Sequence, residues 1–369
     1  MRTPVTVGVV GVGRSGEELV RTLADLPQAQ LSWLCDESRR PQLVLSPRYA
    51  NARVTSDLDD LLDDETLDAV AIATPPPTHY DLISRALAAG KHVFVDGALC
   101  DESARADELV RLARRRNLRL MVGHALVFHP AVRKLKELIE FGRLGELYYF
   151  SARHHALTVD QAPQSVLWSL GPDQVAVLLH LLDDEPVEAL ARGDSYREPG
   201  VPDAVSCYLR FATGISAHVH LSALDPLKLR RLSAIGSARA AVVDDLEPDR
   251  KLAIYETAPT RRPARQRTLD VYSPGIEHVE PLRLACEQFL AGVNSSHELA
   301  SARQAAAVVR TIEALDASLE QGRPAVAARI RRDTSRVVEL PRVVAGTRKG
   351  KGAVSRPNRD GPQVTDSTR

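Results

Sequence analysis

An α/β protein with two successive sheets, a doubly wound parallel one followed by an α/β layer with an open, mainly antiparallel one, is the fold class this sequence predicts. Three observations predict it. From Val5 to His124, short Val/Ile/Leu-rich runs alternate with amphipathic stretches, the pattern of a parallel sheet with helical crossovers. The first run leads directly into a glycine-spaced turn, Gly11-x-Gly13-x-x-Gly16. Beyond Gly123 the apolar period becomes two, as half-buried strands require.

Taken in order, the first region predicts strands at Val5 to Val10, Leu31 to Asp36, near Val54, Ala69 to Thr74, His92 to Asp96 and Leu118 to Gly123. The stretches Glu17 to Leu26, Asp57 to Leu62, His79 to Ala89 and Glu102 to Arg116 carry apolar residues at the spacing of sheet-covering helices. A helix over Ala131 to Glu140 opens the second region. There Val205, Cys207, Leu209 and Phe211 alternate, turn at Thr213-Gly214, and resume as Ile215, Ala217, Val219 and Leu221, which predicts a hairpin. Two helices, about Pro281 to Ala291 and Ala300 to Glu320, are expected to close the second domain. The domains therefore read as 1–123, 124–324 and a basic, disordered tail over 325–369, where apolar periodicity ends among Arg348, Lys349, Lys351, Arg356 and Arg359.

Composition narrows the partners. Of 369 residues 44% are hydrophobic and 26% charged, with a formal net charge of +0, which excludes wholesale disorder and a global field for nucleic acid. Cys35, Cys100, Cys207 and Cys286 form no ligand or disulfide pattern. No zinc or other metal site is expected. With no apolar leader at this N-terminus and no membrane-length apolar run, the expected compartment is the cytoplasm.

Each glycine of the turn has a physical task. Gly11 permits the tight turn, Gly13 admits a pyrophosphate to the backbone, and Gly16 lets helix and strand pack closely, the fingerprint of a Rossmann dinucleotide site. The helix start then faces the phosphates with free N–H groups and its positive end. Asp36 stands twenty residues beyond Gly16 at the end of the second strand. A carboxylate there accepts ribose hydroxyls and repels a 2′-phosphate, which selects NAD over NADP. Arg39 and Arg40 can swing toward a phosphate and leave NADP as the alternative. The cofactor-binding candidates on this reasoning are Gly11, Val12, Gly13, Arg14, Ser15, Gly16 and Asp36.

Further segments carry a resemblance: Ala73-Thr74-Pro75-Pro76-Pro77-Thr78-His79-Tyr80; Gly90-Lys91-His92-Val93; Gly123-His124 with Pro130 to Lys136; Gly142-Arg143-Leu144-Gly145-Glu146; and Glu280-Pro281-Leu282-Arg283. Together with the glycine turn, over Val5 to Pro324, they resemble the Gfo/Idh/MocA oxidoreductases, in particular the branch acting on sugars and sugar nucleotides. The resemblance implies a substrate pocket between the two domains and a homodimer or homotetramer formed through the exposed face of the second sheet. It also implies that Thr74, Pro75 and His79 line the nicotinamide-ribose side, with Asp96 completing the cofactor set.

The same resemblance exposes two departures. Where the family has the lysine and proline of a Glu-Lys-Pro motif, this sequence reads Asp96-Gly97-Ala98. Where the family has a histidine in the second domain, it has Asp173. Proton handling is worth roughly 10²- to 10⁴-fold to such a reaction, so the replacements matter. Asp173 and His124 become the candidate catalytic residues, although Asp173 reads equally as the N-cap of a helix starting near Gln174, and His124 as a structural residue. Lys91 is expected to point to solvent and His180 to sit in a core or interface. His129 is a further candidate, and of His154 and His155 at most one can face the pocket. Two functions are expected: an NAD(P)-dependent oxidoreductase of a sugar or sugar-nucleotide hydroxyl with a remodelled site, or a non-catalytic dinucleotide-binding regulator or scaffold.

Overall fold

The computed structural model describes residues 3–38, 49, 51–157, 165–256, 271–293 and 300–322. Arg39, Arg40 and the tail over 325–369 lie outside them. The first sheet has six parallel strands in the order β3-β2-β1-β4-β5-β6. They are β1 (Val5–Val10), β2 (Ala29–Cys35), β3 (Arg53–Thr55), β4 (Ala69–Ile72), β5 (His92–Val95) and β6 (Leu120–Val122). The near-continuous apolar runs of β1, β4 and β5 follow from burial on both faces: Val7, Val9, Val70, Ile72, Val93 and Val95 are all fully buried.

Helices α1 (Arg14–Ala24), α2 (Leu58–Leu62), α3 (Pro76–Ala88) and α4 (Ser103–Arg116) cover that sheet. α4 ends where Asn117 adopts a left-handed conformation with φ +55°, and three arginines in its last turn face the negative end of the helix. Short α5 (Ala125–Phe128) and α6 (Pro130–Glu140) then lead to the second sheet.

That sheet runs β14-β13-β12-β11-β7-β10-β9-β8, comprising β7 (Leu147–His155), β8 (Pro186–Asp194), β9 (Ala204–Phe211), β10 (Ser216–Ser222), β11 (Leu229–Gly236), β12 (Arg239–Asp244), β13 (Leu252–Glu256) and β14 (Val271–Tyr272). Only the β7–β10 pairing is parallel. The β9–β10 hairpin has the expected register, Val205 opposite Leu221 and Leu209 opposite Ala217, and Gly214 turns it with φ +88°.

Three expectations are corrected. Between β7 and β8 lies α7 (Val166–Leu182), so Asp173 is inside a helix rather than at its start. Ser165 is the N-cap, its hydroxyl accepting from the Leu167 backbone N–H at 3.3 Å. The apolar residues Val166, Leu167 and Trp168 extend the helix upstream, and Pro172 is accommodated within it. Second, helix α8 (Pro281–Val293) does not close the second domain. It returns to the first sheet, where Ala285, Cys286, Phe289 and Leu290 join the core of Val5, Val7, Leu19 and Phe94, with the Phe94 and Phe289 rings 5.5 Å apart. Helix α9 (Ala300–Gln321) serves both layers: Ala302, Ala305, Ala306 and Val309 pack on the first sheet, and Ala307, Val308, Ile312 and Leu315 on the second.

Third, Lys91 is buried. Its ammonium donates to the Asp64 and Leu67 carbonyls at 2.7 and 3.0 Å, clamping the loop before β4 to the start of β5. Lys91→Met strands both carbonyls and is expected to cost about 1–3 kcal/mol of stability, read by chemical denaturation, without changing cofactor affinity.

Candidate active site

The glycine turn connects β1 to α1 with each glycine doing a different thing. Gly11 has φ +84°, and a Cβ there would meet the Ala73 carbonyl oxygen at 2.7 Å. A Cβ on Gly16 would come within 2.0 Å of the Gly11 carbonyl oxygen. Gly13 differs: a Cβ there meets nothing within 4 Å. Its lack of a side chain leaves space rather than permitting a fold contact, as a site that admits a pyrophosphate to the backbone requires. Gly13 is also the N-cap of α1 and offers no side-chain cap, so the helix end presents backbone donors and its positive pole. Gly13→Ala is therefore expected to melt like the parent protein yet bind NAD about tenfold or more weakly, measured by cofactor-fluorescence titration.

Arg14 and Ser15 are exposed beside this turn, whereas the Val12 side chain is in the core. Only the Val12 backbone faces the site, and its N–H donates to Asp36 Oδ2 at 2.6 Å. Asp36 thus sits where the sequence places it, at the end of β2 against the glycine turn. Its Oδ1 accepts from the Ser38 backbone and hydroxyl at 2.9 and 2.7 Å, so a ribose would share the carboxylate with Ser38.

Across the turn, Thr74 packs against Gly11 and exchanges a hydrogen bond with Thr78 at 2.7 Å, while Pro75 is exposed. His79 does not line this cleft. It is 0% exposed, and its two ring nitrogens each lie 2.7 Å from a carbonyl oxygen, of Ala98 and Thr74. Burial holds the imidazole below its ordinary pKa against the pull of those carbonyls. His79 therefore ties the loop after β4 to the loop after β5, and its role there is positional.

The ends of β5 and β6 face α7. Gly123 donates to the Val95 carbonyl at 2.7 Å, so Asp96 and His124 leave neighbouring strands side by side. His124 is 5% exposed, and its Nδ1 lies 3.5 Å from Asp173 Oδ1. The two candidate catalytic residues, remote in sequence, are thus brought together. Burial opposes ionisation of Asp173, but the close approach and charge of His124, with Arg230 beyond, outweigh it and hold the carboxyl below its ordinary value. Asp96 goes the other way: burial first, then the charges of Asp173 and Glu18, push it up to about 6, with His124 opposing.

Gly97 follows Asp96 with φ +95°, and a Cβ there would meet open space. The position has room for a side chain but a backbone that disfavours one, so this loop is shaped for glycine.

Beneath Asp173, Arg230 and His154 are register partners on β11 and β7. His154 is 3% exposed with its Nδ1 3.5 Å from Gln174 Nε2; burial and then Arg230 press its pKa down to about 4, which leaves it neutral at physiological pH. Arg230 is held by Asp245 at 3.1 Å, and Asp245 in turn by His129 Nε2 at 3.3 Å. His129 Nδ1 accepts from the Ala131 N–H at 3.0 Å, capping α6, which fixes its proton on Nε2. His155 faces the opposite side of the sheet and pairs with Asp225 at 3.1 Å. His180 is half-buried near the end of α7, and its backbone carbonyl accepts from Lys136 at 2.6 Å. Arg230, Gln174 and Asp245 were not singled out in the sequence; only the pairing of strands that it does not spell out could have placed them here. Among the described residues no group of three or more His, Cys, Asp or Glu is arranged to hold a metal.

Two family models match successive stretches of this chain: the NAD-binding Rossmann fold of the oxidoreductase family GFO_IDH_MocA over residues 5–124, and the GFO/IDH/MocA C-terminal domain over 132–242. The chain belongs to the GFO/IDH/MocA family. Its N-terminal layer is accordingly an NAD-binding Rossmann domain. An uncharacterized oxidoreductase of Schizosaccharomyces pombe is 34% identical over 155 residues, 40% of this chain and 41% of that relative, so the match spans under half its length. UDP-N-acetylglucosamine 3-dehydrogenase of Acidithiobacillus ferrooxidans is 27% identical over 245 residues, 65% of this chain and 74% of its own. Its crystal structure superposes with a TM-score of 0.76 at 23% identity, covering 87% of this chain and 99% of that one. GenD2 from gentamicin A biosynthesis, solved in complex with NAD, gives a TM-score of 0.75 at 24% identity over 88% and 97% of the two chains. These structural likenesses place the GFO/IDH/MocA fold over both sheets. Among the described residues no helix is long and apolar enough to cross a membrane.

Proposed function

We propose that this protein is an NAD-dependent oxidoreductase acting on a hydroxyl of a sugar or sugar nucleotide, with proton handling moved from the family's lysine and histidine to a His124–Asp173 pair. The 3.5 Å approach of His124 Nδ1 to Asp173 Oδ1 over the ends of β5 and β6 carries this reading. Bound NAD supplies the hydride acceptor. His124, with neither ring nitrogen hydrogen-bonded within the protein, takes the hydroxyl proton, and Asp173 orients the ring and stabilises its cationic form. Asp36 favours NAD over NADP by occupying the place of a 2′-phosphate. Substrate enters between the Rossmann layer and α7, with residues 124–324 contributing its binding wall and, through the open face of the second sheet, a homodimer or homotetramer contact. A cytoplasmic setting accords with free thiols at all four cysteines.

Glycine at position 97 favours a second reading, a non-catalytic dinucleotide-binding regulator or scaffold. Single-turnover absorbance at the nicotinamide band across UDP- and dTDP-sugars separates the two. Sugar-dependent NADH formation that slows in Asp173→Asn supports the enzyme. Tight NADH binding with no turnover on any member of the panel gives the regulator.

A further inference from the structure

The nicotinamide end of the site is crowded with acid. Asp96 and His124 leave the neighbouring strands β5 and β6 side by side, His124 Nδ1 lies 3.5 Å from Asp173 Oδ1 on α7, and the charges of Asp173 and of Glu18 on α1 both act on Asp96. His124 opposes the rise at Asp96; Arg230 and His154 stand behind Asp173, and the Cys286 thiol on α8 lies within electrostatic reach of Asp96. His124 is 5% exposed, and both its nitrogens are buried without a hydrogen-bond partner, a polar group aimed into the carboxylates. The strand order adds the placement. Asp36 and the glycine turn take the adenosine ribose and pyrophosphate, so the nicotinamide end extends over β4 and β5, toward Asp96.

We propose that Asp96, Asp173 and His124 together form a proton store whose filling is set by the redox state of the nicotinamide beside them, emptied when the oxidised form binds and filled when the reduced form does. The basis is charge. Oxidised nicotinamide is formally positive and the reduced ring is neutral. Neighbouring carboxylates resist ionising together unless a cation joins them, and a cation within about 4–6 Å lowers a carboxyl pKa by about one to three units. In the alcohol oxidation proposed above, on which only this step rests, the C–H bond breaks with its electron pair passing to the nicotinamide. The O–H proton passes to His124 and the C=O bond forms. The ring's positive charge vanishes in the same event, so the proton moves on from His124 to the carboxylates. One alcohol and NAD+ give one ketone, one NADH and one proton held on the protein until the reduced cofactor leaves.

The test is calorimetric titration of the full chain with NAD+ and with NADH at pH 6, each in two buffers of unlike ionisation enthalpy. About half a proton is expected to be released with NAD+ and none released, or some taken up, with NADH. Between pH 5 and 7 the preference for NAD+ over NADH is expected to rise about tenfold in the parent and less than twofold in Asp96→Asn. Circular dichroism checks that the variant is folded, and Asp173→Asn, with the same expected flattening, serves if it is not. Equal proton counts for the two cofactor forms, or a pH dependence unchanged in both variants, overturns the proposal. Binding of neither form overturns both it and the cofactor reading, whereas a redox-dependent proton count without sugar turnover supports the store and counts against the enzyme.

Discussion

Replacing His124 with Ala is expected to lower the single-turnover rate of NADH formation by about 10²- to 10⁴-fold, the usual worth of general acid–base catalysis. Because the His124 imidazole makes no hydrogen bond that holds an element in place, the fold should remain that of the parent. Asp173→Asn removes the orienting charge but leaves the base, so its loss is expected to be smaller and to show mainly as a displaced pH–rate profile. A His124→Ala rate within threefold of the parent, once substrate is known, would falsify the dyad.

Asp96→Asn is expected to stabilise the cofactor-free protein at neutral pH, a sign opposite to most substitutions of a buried polar residue. Burial and the charge of Asp173 raise its pKa from 3.8 to about 6. Below the lower value the group is protonated in both folded and unfolded chains and costs nothing. As pH rises from about 4 to 6 the unfolded chain ionises first, so stability falls through that window by on the order of 2–3 kcal/mol and stays reduced above it. Asparagine removes this penalty. Urea denaturation of parent and variant should give curves that separate between pH 4 and 6 with the variant the more stable at pH 7; superimposable curves at both ends would show Asp96 ionising freely.

The parts of the site legible in the sequence are those built from neighbours along the chain. The glycine turn, its strand and helix, and Asp36 at the next strand end are local patterns tied to backbone conformation, and the structure places them as read. His124 and Asp173 were each recognisable, but their contact depends on α7 crossing the ends of β5 and β6, which no local pattern encodes. The helix-start alternative for Asp173 fails because aspartate is favoured at N-caps without being confined to them, while the apolar run upstream, buried against both the second sheet and α9, carried no polar face to mark a period. Lys91 shows the limit of composition: lysine is rarely buried, and only the two carbonyls that receive its ammonium explain the exception. Helix α8 was assigned to the wrong layer for a related reason. Its apolar face is plain in the sequence, but nothing in it names the sheet it covers.

Helix α9 lends consecutive turns to two different cores. Its first half is apolar filling for the Rossmann sheet and its second half for the open sheet, so neither layer can melt without exposing a surface that the other also needs. The protein should consequently unfold in one transition rather than two. Cofactor held at one sheet should also slow amide exchange in β8 and β9 of the other, which would make the substrate wall more rigid whenever the dinucleotide is in place.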